Sequence, residues 1–272
     1  MSVWRYAHQG LLILVFSAIA VCAPAQTPTQ LGFEPEVGQA GKDVIWVPSP
    51  PELVEKMLDM AKVMPGDFVI DLGSGDGRTV IAAARRGTRA LGIEFNPDMV
   101  ALSRRNAASA GVADKATFVQ ADIFQSDLSS ATVITMFLLT ELNLKLRPTI
   151  LSLKPGTRIV TNSFRMGDWA PDETAELGCE TYCTAYLWIV PARVEGKWQL
   201  PHGELTLNQE FQKVSGTLRT GNSMVPISRG RLRGNQIRFV TPDSDYRGRV
   251  GEKSIEGTVR SAGNTGTWKA TR

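Results

Sequence analysis

The sequence predicts an α/β domain, a parallel sheet with helices on both faces, followed by a small antiparallel β-barrel or meander. Three observations carry this. Short apolar runs at residues 68–70, 91–93, 117–119, 133–137 and 158–161 alternate with stretches of helical spacing, the pattern of parallel strands joined by crossover helices. Past Ala192 the helical spacing stops, and residues 195–272 hold 11 glycines between short runs such as 204–207, 214–218, 236–240 and 255–259, which reads as a meander of paired strands. The same tail carries 13 Lys and Arg against 7 Asp and Glu, while the rest is acidic, so the chain changes character at one point.

The elements follow in order. Residues 1–25 have the parts of a secretory signal: Arg5, an apolar run over residues 11–22, and Ala23-Pro24-Ala25. The run falls short of the roughly 20 residues a membrane-spanning helix needs, so a cleaved signal is preferred to an uncleaved anchor. The body is therefore expected outside the cytoplasm, in the periplasm of a bacterium, with no stable membrane span after cleavage. Residues 26–42 are polar and read as a linker. Ser49-Pro50-Pro51-Glu52 reads as a helix start, with Ser49 as cap, Pro50 at the first helical position and Glu52 completing a capping box. A helix over residues 78–86 is closed by Gly87, another opens at Asn96-Pro97 and stops at Gly111, and a later one is expected to break near Pro148. These divisions give a signal over 1–25, a linker over 26–42, an α/β domain over 43–194 and a β-rich domain over 195–272.

Composition removes several function classes. The 272 residues are 43% hydrophobic and 21% charged with a formal net charge of +3, which is globular and makes no case for nucleic acid. With His8 and His202 the only histidines, serine-type triads and His-rich metal sites fall away, and no metal is expected. After signal removal two cysteines remain, Cys179 and Cys183. Strand residues four apart lie about 13 Å from each other, so a disulfide between them requires a turn or bulge. Arg229, Arg231 and Arg233 alternate and are expected on one strand face, solvated in preference to binding an acidic partner.

The chemistry sits at the strand ends. The first strand runs into Asp71-Leu72-Gly73-Ser74-Gly75-Asp76-Gly77. Glycines let a backbone turn sharply and approach a ligand, and the next helix offers free N–H groups. The spacing G-x-G-x-G differs from the G-x-G-x-x-G of dinucleotide sites, and Asp71 and Asp76 would repel a phosphate and attract an ammonium. Glu94 ends the second strand, where a carboxylate can accept both hydroxyls of a ribose. Asp122 ends the third, placed to accept from an adenine amino group. Phe95, next to Glu94, either packs on the adenine face or belongs to the core.

DLGSGDGR, GIEFNP and FVQADIF together resemble the motifs of the class I S-adenosylmethionine-dependent methyltransferases. WVPSPPELVEKML and FRMGDWAPD narrow the resemblance to the ATP synthase c-subunit lysine methyltransferase family and its bacterial relatives, over residues 43 to about 192. The resemblance implies a Rossmann-like fold, S-adenosyl-L-methionine as cofactor, and a protein lysine as methyl acceptor. It places Asp71, Gly73 and Gly75 on the methionine part, Glu94 on the ribose, Asp122 on the adenine and Ser49 near the cofactor carboxylate. A sulfonium is an activated donor, so the enzyme's main task is alignment, and no side chain is assigned as catalytic. Acceptor-side candidates are Thr140 and Asn143 after the fourth strand and Phe164 and Trp169 after the fifth, the two aromatics being equally readable as core. The rival reading is an exported, non-catalytic nucleoside- or ligand-binding module with a β-barrel for interactions.

Overall fold

A computed structural model describes residues 1–2 and 33–272; the apolar run and the cleavage site lie outside them. The sheet is built from β1 (Phe68–Leu72), β2 (Arg89–Glu94), β3 (Ala116–Gln120), β4 (Val133–Met136), β5 (Arg158–Asn162), β6 (Glu173–Glu176) and β7 (Thr184–Ile189), in the order β3-β2-β1-β4-β5-β7-β6. The first five run parallel, and β7 returns antiparallel between β5 and β6. The order reverses at β1, which has β2 on one side and β4 on the other. At such a switch point the flanking crossovers leave in opposite directions and open a crevice at the carboxyl ends of the strands.

Alternation along the strands divides the core into two layers. Val69, Val133, Val160 and Leu187 face α1 (Pro51–Met60), α2 (Arg78–Arg85) and α3 (Pro97–Ser109). Ile70, Ile134, Ile159 and Trp188 face the other way, with Leu146 and Ile150 of α4 (Thr140–Leu151). The ends of these helices follow their local chemistry. Asn96 Oδ1 accepts from Asp98 N at 2.9 Å to cap α3, and Gly87 and Gly111 end α2 and α3 with φ of +87° and +68°.

Two expected helix details are corrected. Helix α1 begins one residue later than expected: Pro50 is its N-cap, Pro51 its first residue, and no side chain caps it. Ser49 Oγ accepts instead from Asn162 Nδ2 at 3.0 Å, a contact 113 residues away that no local pattern announces. Helix α4 runs through Pro148 without breaking. Proline removes one N–H, but it sits on the exposed side while Leu146 and Ile150 on either side of it are buried, and that burial holds the last turn.

The C-terminal strands β8 (Gly196–Leu200), β9 (Gly203–Glu210), β10 (Lys213–Thr220), β11 (Ser223–Arg233), β12 (Gln236–Thr241), β13 (Ser244–Val250), β14 (Ser254–Ser261) and β15 (Asn264–Thr271) form a closed antiparallel barrel. It is filled by Trp198, Leu205, Leu232, Phe239, Ile255 and Trp268. Closure, through Thr271 opposite Gln199, leaves no open sheet edge. Arg231 and Arg233 face outward around the buried Leu232, but Arg229 sits at a bulge with φ +52°, so the regular alternation stops there. Arg231 is also not merely solvated. It pairs at 2.7 Å with Asp172, whose side chain is 1% exposed, and so ties barrel to sheet. Phe211, in the β9–β10 turn, stacks on Trp169 at 5.8 Å, and Gln212 Nε2 donates to the Ala170 carbonyl at 2.7 Å. Among the described residues no helix is long and apolar enough to cross a membrane.

Candidate functional site

The crevice at the switch point is a cleft of about 480 Å³. Its floor is the glycine loop after β1, where Gly73, Gly75 and Gly77 take φ of +74°, +55° and +84°, values that L side chains resist. A Cβ on Gly75 would stand 2.7 Å from Trp46 Nε1, and one on Gly92 would stand 2.5 Å from Ser74 Oγ. The loop is therefore seated between β2 and a roof with no space for side chains. Asp76, at the edge of the cleft, is partly neutralised by Arg78, which donates to it through Nε and Nη2 at 3.0 and 2.6 Å.

Three carboxylates belong to the strand ends, each in a different environment. Asp71 is buried, accepts from Thr135 Oγ1 at 2.6 Å, and is pushed up to about 7 by burial, with Glu94 and Asp76 adding to the shift. Glu94 Oε2 accepts from Gly75 N at 3.0 Å and its Oε1 from Asn96 N at 2.9 Å. Each oxygen keeps a further lone pair, so the carboxylate is aimed by two backbone donors and can still accept from a diol. Asp122 Oδ1 accepts from Phe124 N at 2.9 Å, and its Oδ2 receives Lys42 Nζ at 2.8 Å. The hydrogen bond raises the Lys42 ammonium above its ordinary value and holds Asp122 below the usual carboxylate range.

A roof crosses the cleft. Residues 38–46 fold back on themselves through the bridge between Ala40 and Ile45 and the bond from Trp46 N to Gln39 O at 2.9 Å. Residues 39–42, expected to belong to a linker, line the cleft. Lys42 also lies over the Phe95 ring, 4.8 Å from its centroid, and Phe95 is 48% exposed, which settles that ring outside the core.

The structure gathers Ser49, Asp71, Gly73, Gly75, Glu94, Phe95, Asp122 and Phe164 around this one cleft. It does not bring the other acceptor-side candidates there. Trp169 is fully buried against Trp188 and Phe211, a core residue to which the barrel docks. Asn143 is buried, and its Nδ2 donates to the carbonyls of Phe164 and Arg165 at 3.2 and 3.3 Å; it holds Phe164 in place without reaching the cleft. Thr140 begins α4 and stays outside the lining. Sequence reasoning missed Lys42 and Trp46 in the roof, and Phe137 and Tyr182 beside Phe164. Two of these had a signal in the chain: Trp46 opens the WVPSPP segment, and Tyr182 lies between the two cysteines.

These cysteines are bridged, with Cα atoms 5.7 Å apart. The turn that a bridge requires is there: residues 177–183 form a loop between β6 and β7, and Leu177 N donates to Cys183 O at 2.9 Å.

The donor set fits a nucleoside bearing an amino acid. Acids of graded depth stand in line over β3, β2 and β1, the glycine loop offers bare backbone, and the buried Ser74 hydroxyl has no hydrogen-bond partner among the described residues. A fold of this kind with such a cleft defines an S-adenosylmethionine-dependent methyltransferase. The model of the ANTKMT methyltransferase domain matches residues 71–173. A protein-lysine N-methyltransferase of Saccharolobus islandicus (strain REY15A) is 40% identical over 152 residues, which are 54% of this chain and 94% of that protein. The chain belongs to this methyltransferase family. The mouse ATP synthase c-subunit lysine N-methyltransferase is 36% identical over 140 residues, and the match spans 50% of this chain and 55% of that protein. Among solved structures, an RNA methyltransferase from Salinibacter ruber in complex with S-adenosyl-L-homocysteine is 49% identical, with 54% of this chain and 96% of that one covered at a TM-score of 0.52.

When bound, the cofactor supplies an electrophilic methyl on a sulfonium. The chain's residues do the rest. Asp71 and the loop would hold the amino-acid part, Glu94 the ribose hydroxyls and Asp122 with Phe95 the base, beneath the roof of residues 39–46. The rival reading as a non-catalytic module is set aside.

Proposed function

We propose that this methyltransferase acts on a lysine of a protein, outside the cytoplasm. The observation that carries the acceptor class is the wall beyond β1. Phe137, Leu138, Leu139, Phe164 and Tyr182 line the cleft there, a surface that suits the alkyl stem of a lysine and the cationic product of its methylation. Names of relatives add support, since those in the archaeon and the mouse are lysine methyltransferases. The Salinibacter relative is described as acting on RNA, and this is the alternative to test. Cell-envelope protein and total RNA from the source organism are offered separately with methyl-labelled S-adenosylmethionine. Label recovered as methyllysine after acid hydrolysis of the protein is the expected result; label in RNA alone overturns the proposal.

The apolar run before Ala23-Pro24-Ala25 and a cysteine pair able to bridge support export, since disulfides persist in oxidising compartments. S-adenosylmethionine is made in the cytoplasm, so export also requires cofactor outside it. Mass spectrometry should find the chain beginning at or near Gln26 in the periplasmic fraction. Intact residues 1–25 on a cytoplasmic protein would overturn this.

A further inference from the structure

The order of the strand ends gives the cleft a direction. Asp122 stands at the end of β3, Glu94 at β2, and Asp71 with the glycine loop at β1, so base, ribose and amino acid read in sequence across the sheet. The reacting methyl lies between ribose and amino acid. The next surface on that side is made by the ends of β4 and β5, where Phe137 and Phe164 stand with ring centroids 6.0 Å apart. Tyr182 closes the group, its ring 5.1 Å from Phe137 edge-on and 6.1 Å from Phe164.

Tyr182 comes from neither strand. It lies in the loop closed by Cys179 and Cys183, takes φ +55° and remains 41% exposed. A tyrosine left to its own preference avoids that backbone region. Among the contacts that fix it are the two rings and the bridge at its direct neighbour Cys183. The loop is thus a covalently closed arm that holds one aromatic ring against two others at the cleft.

We infer that Tyr182, held by the Cys179–Cys183 bridge, is a specificity-determining residue that completes an aromatic wall for the acceptor amine. This rests on the lysine reading above. The three rings touch one another and present a single aromatic wall to an alkylammonium or its methylated product, by apolar contact and cation–π attraction, and the bridge keeps the third ring in place when the site is empty.

The test uses the mature chain saturated with S-adenosyl-L-homocysteine, with Nα-acetyl-lysine methylamide and its Nε-trimethyl form as probes, titrated by NMR. Parent, Tyr182→Ala, Tyr182→Phe and the double variant Cys179→Ser, Cys183→Ser are compared, and calorimetry of S-adenosyl-L-homocysteine confirms the cofactor side in each. Tyr182→Ala should weaken both probes about five- to tenfold, with S-adenosyl-L-homocysteine affinity close to that of the parent. Tyr182→Phe should keep the probe affinity, and the double serine variant should fall between Ala and parent. Parent binding that neither Tyr182→Ala nor the serine variant alters overturns this inference and leaves the lysine reading standing. A parent that binds S-adenosyl-L-homocysteine but neither probe overturns both.

Discussion

Replacing Glu94 separates a ligand-binding role from a loop-holding one, and the geometry sets the size of the effect. The carboxylate uses one oxygen for Gly75 N and the other for Asn96 N. Glutamine offers a single acceptor, so its amide nitrogen must face one of these donors. One charge-assisted bond is lost, and a ribose hydroxyl loses a charged acceptor. Bonds to charged groups contribute roughly 1.5–3 kcal/mol each and do not add fully, so Glu94→Gln should weaken S-adenosylmethionine binding about ten- to a hundredfold. Glu94→Ala should lie within a few-fold of Glu94→Gln. Both should lower the melting temperature of the ligand-free protein by about 2–8 °C, taking roughly 1–2 kcal/mol at 2–4 °C per kcal/mol for a chain of this size. Calorimetry and thermal melting on the same samples measure the two effects. If both variants melt early yet bind the cofactor as tightly per folded molecule as the parent, Glu94 serves the loop alone and its assignment to the ribose is refuted.

Two further outcomes follow from the same geometry. Burial places the Asp71 carboxyl at about 7 against an ordinary 3.8, so the unfolded chain releases this proton first and the group's contribution to stability falls as pH rises from about 4 to about 7, by roughly 1.4 kcal/mol per pH unit. A cofactor ammonium favours the ionised form, so affinity should drop up to about tenfold per unit as pH falls below 7; Asp71→Asn should flatten both profiles, and an unchanged profile in that variant would remove Asp71 from the site. Trp169→Ala should cost about 3–5 kcal/mol of stability by leaving a cavity between Trp188 and Phe211, read by denaturant titration, with cofactor affinity of the folded fraction unchanged; an affinity loss at full stability would return Trp169 to the site.

What could be read along the chain was what depends on neighbours a few residues apart. The glycine spacing of residues 73–77, the acids at or just past the ends of β1, β2 and β3, the Asn96 cap and the even turn spacing of the barrel are all local. They were enough for a parallel sheet, a cofactor and a second β-rich part, because strand ends of a switch-point sheet converge without further instruction. The side chains facing the acceptor were less legible. Phe164 and Trp169 lie five residues apart with similar chemistry, yet one lines the cleft and the other anchors a barrel whose docking residue, Phe211, comes 42 residues later.

The sequence by itself determined the fold class, since periodicity and turn residues act over a few residues and constrain the backbone directly, and the resemblance of its strand-end motifs to a known family pointed to the cofactor. Only the tertiary structure decided what each side chain touches. Lys42 meets Asp122 from 80 residues away and Ser49 meets Asn162 from 113, which turns an apparent linker into a roof and an expected helix cap into a tie between roof and sheet. The disulfide belongs with these, because spacing four apart forbids a bridge in a strand and permits it in a turn, and whether the chain turned there depended on β6 and β7 pairing antiparallel across it. Such contacts are chosen by which surfaces packing leaves to be covered, a property of the assembled core that no window of sequence contains.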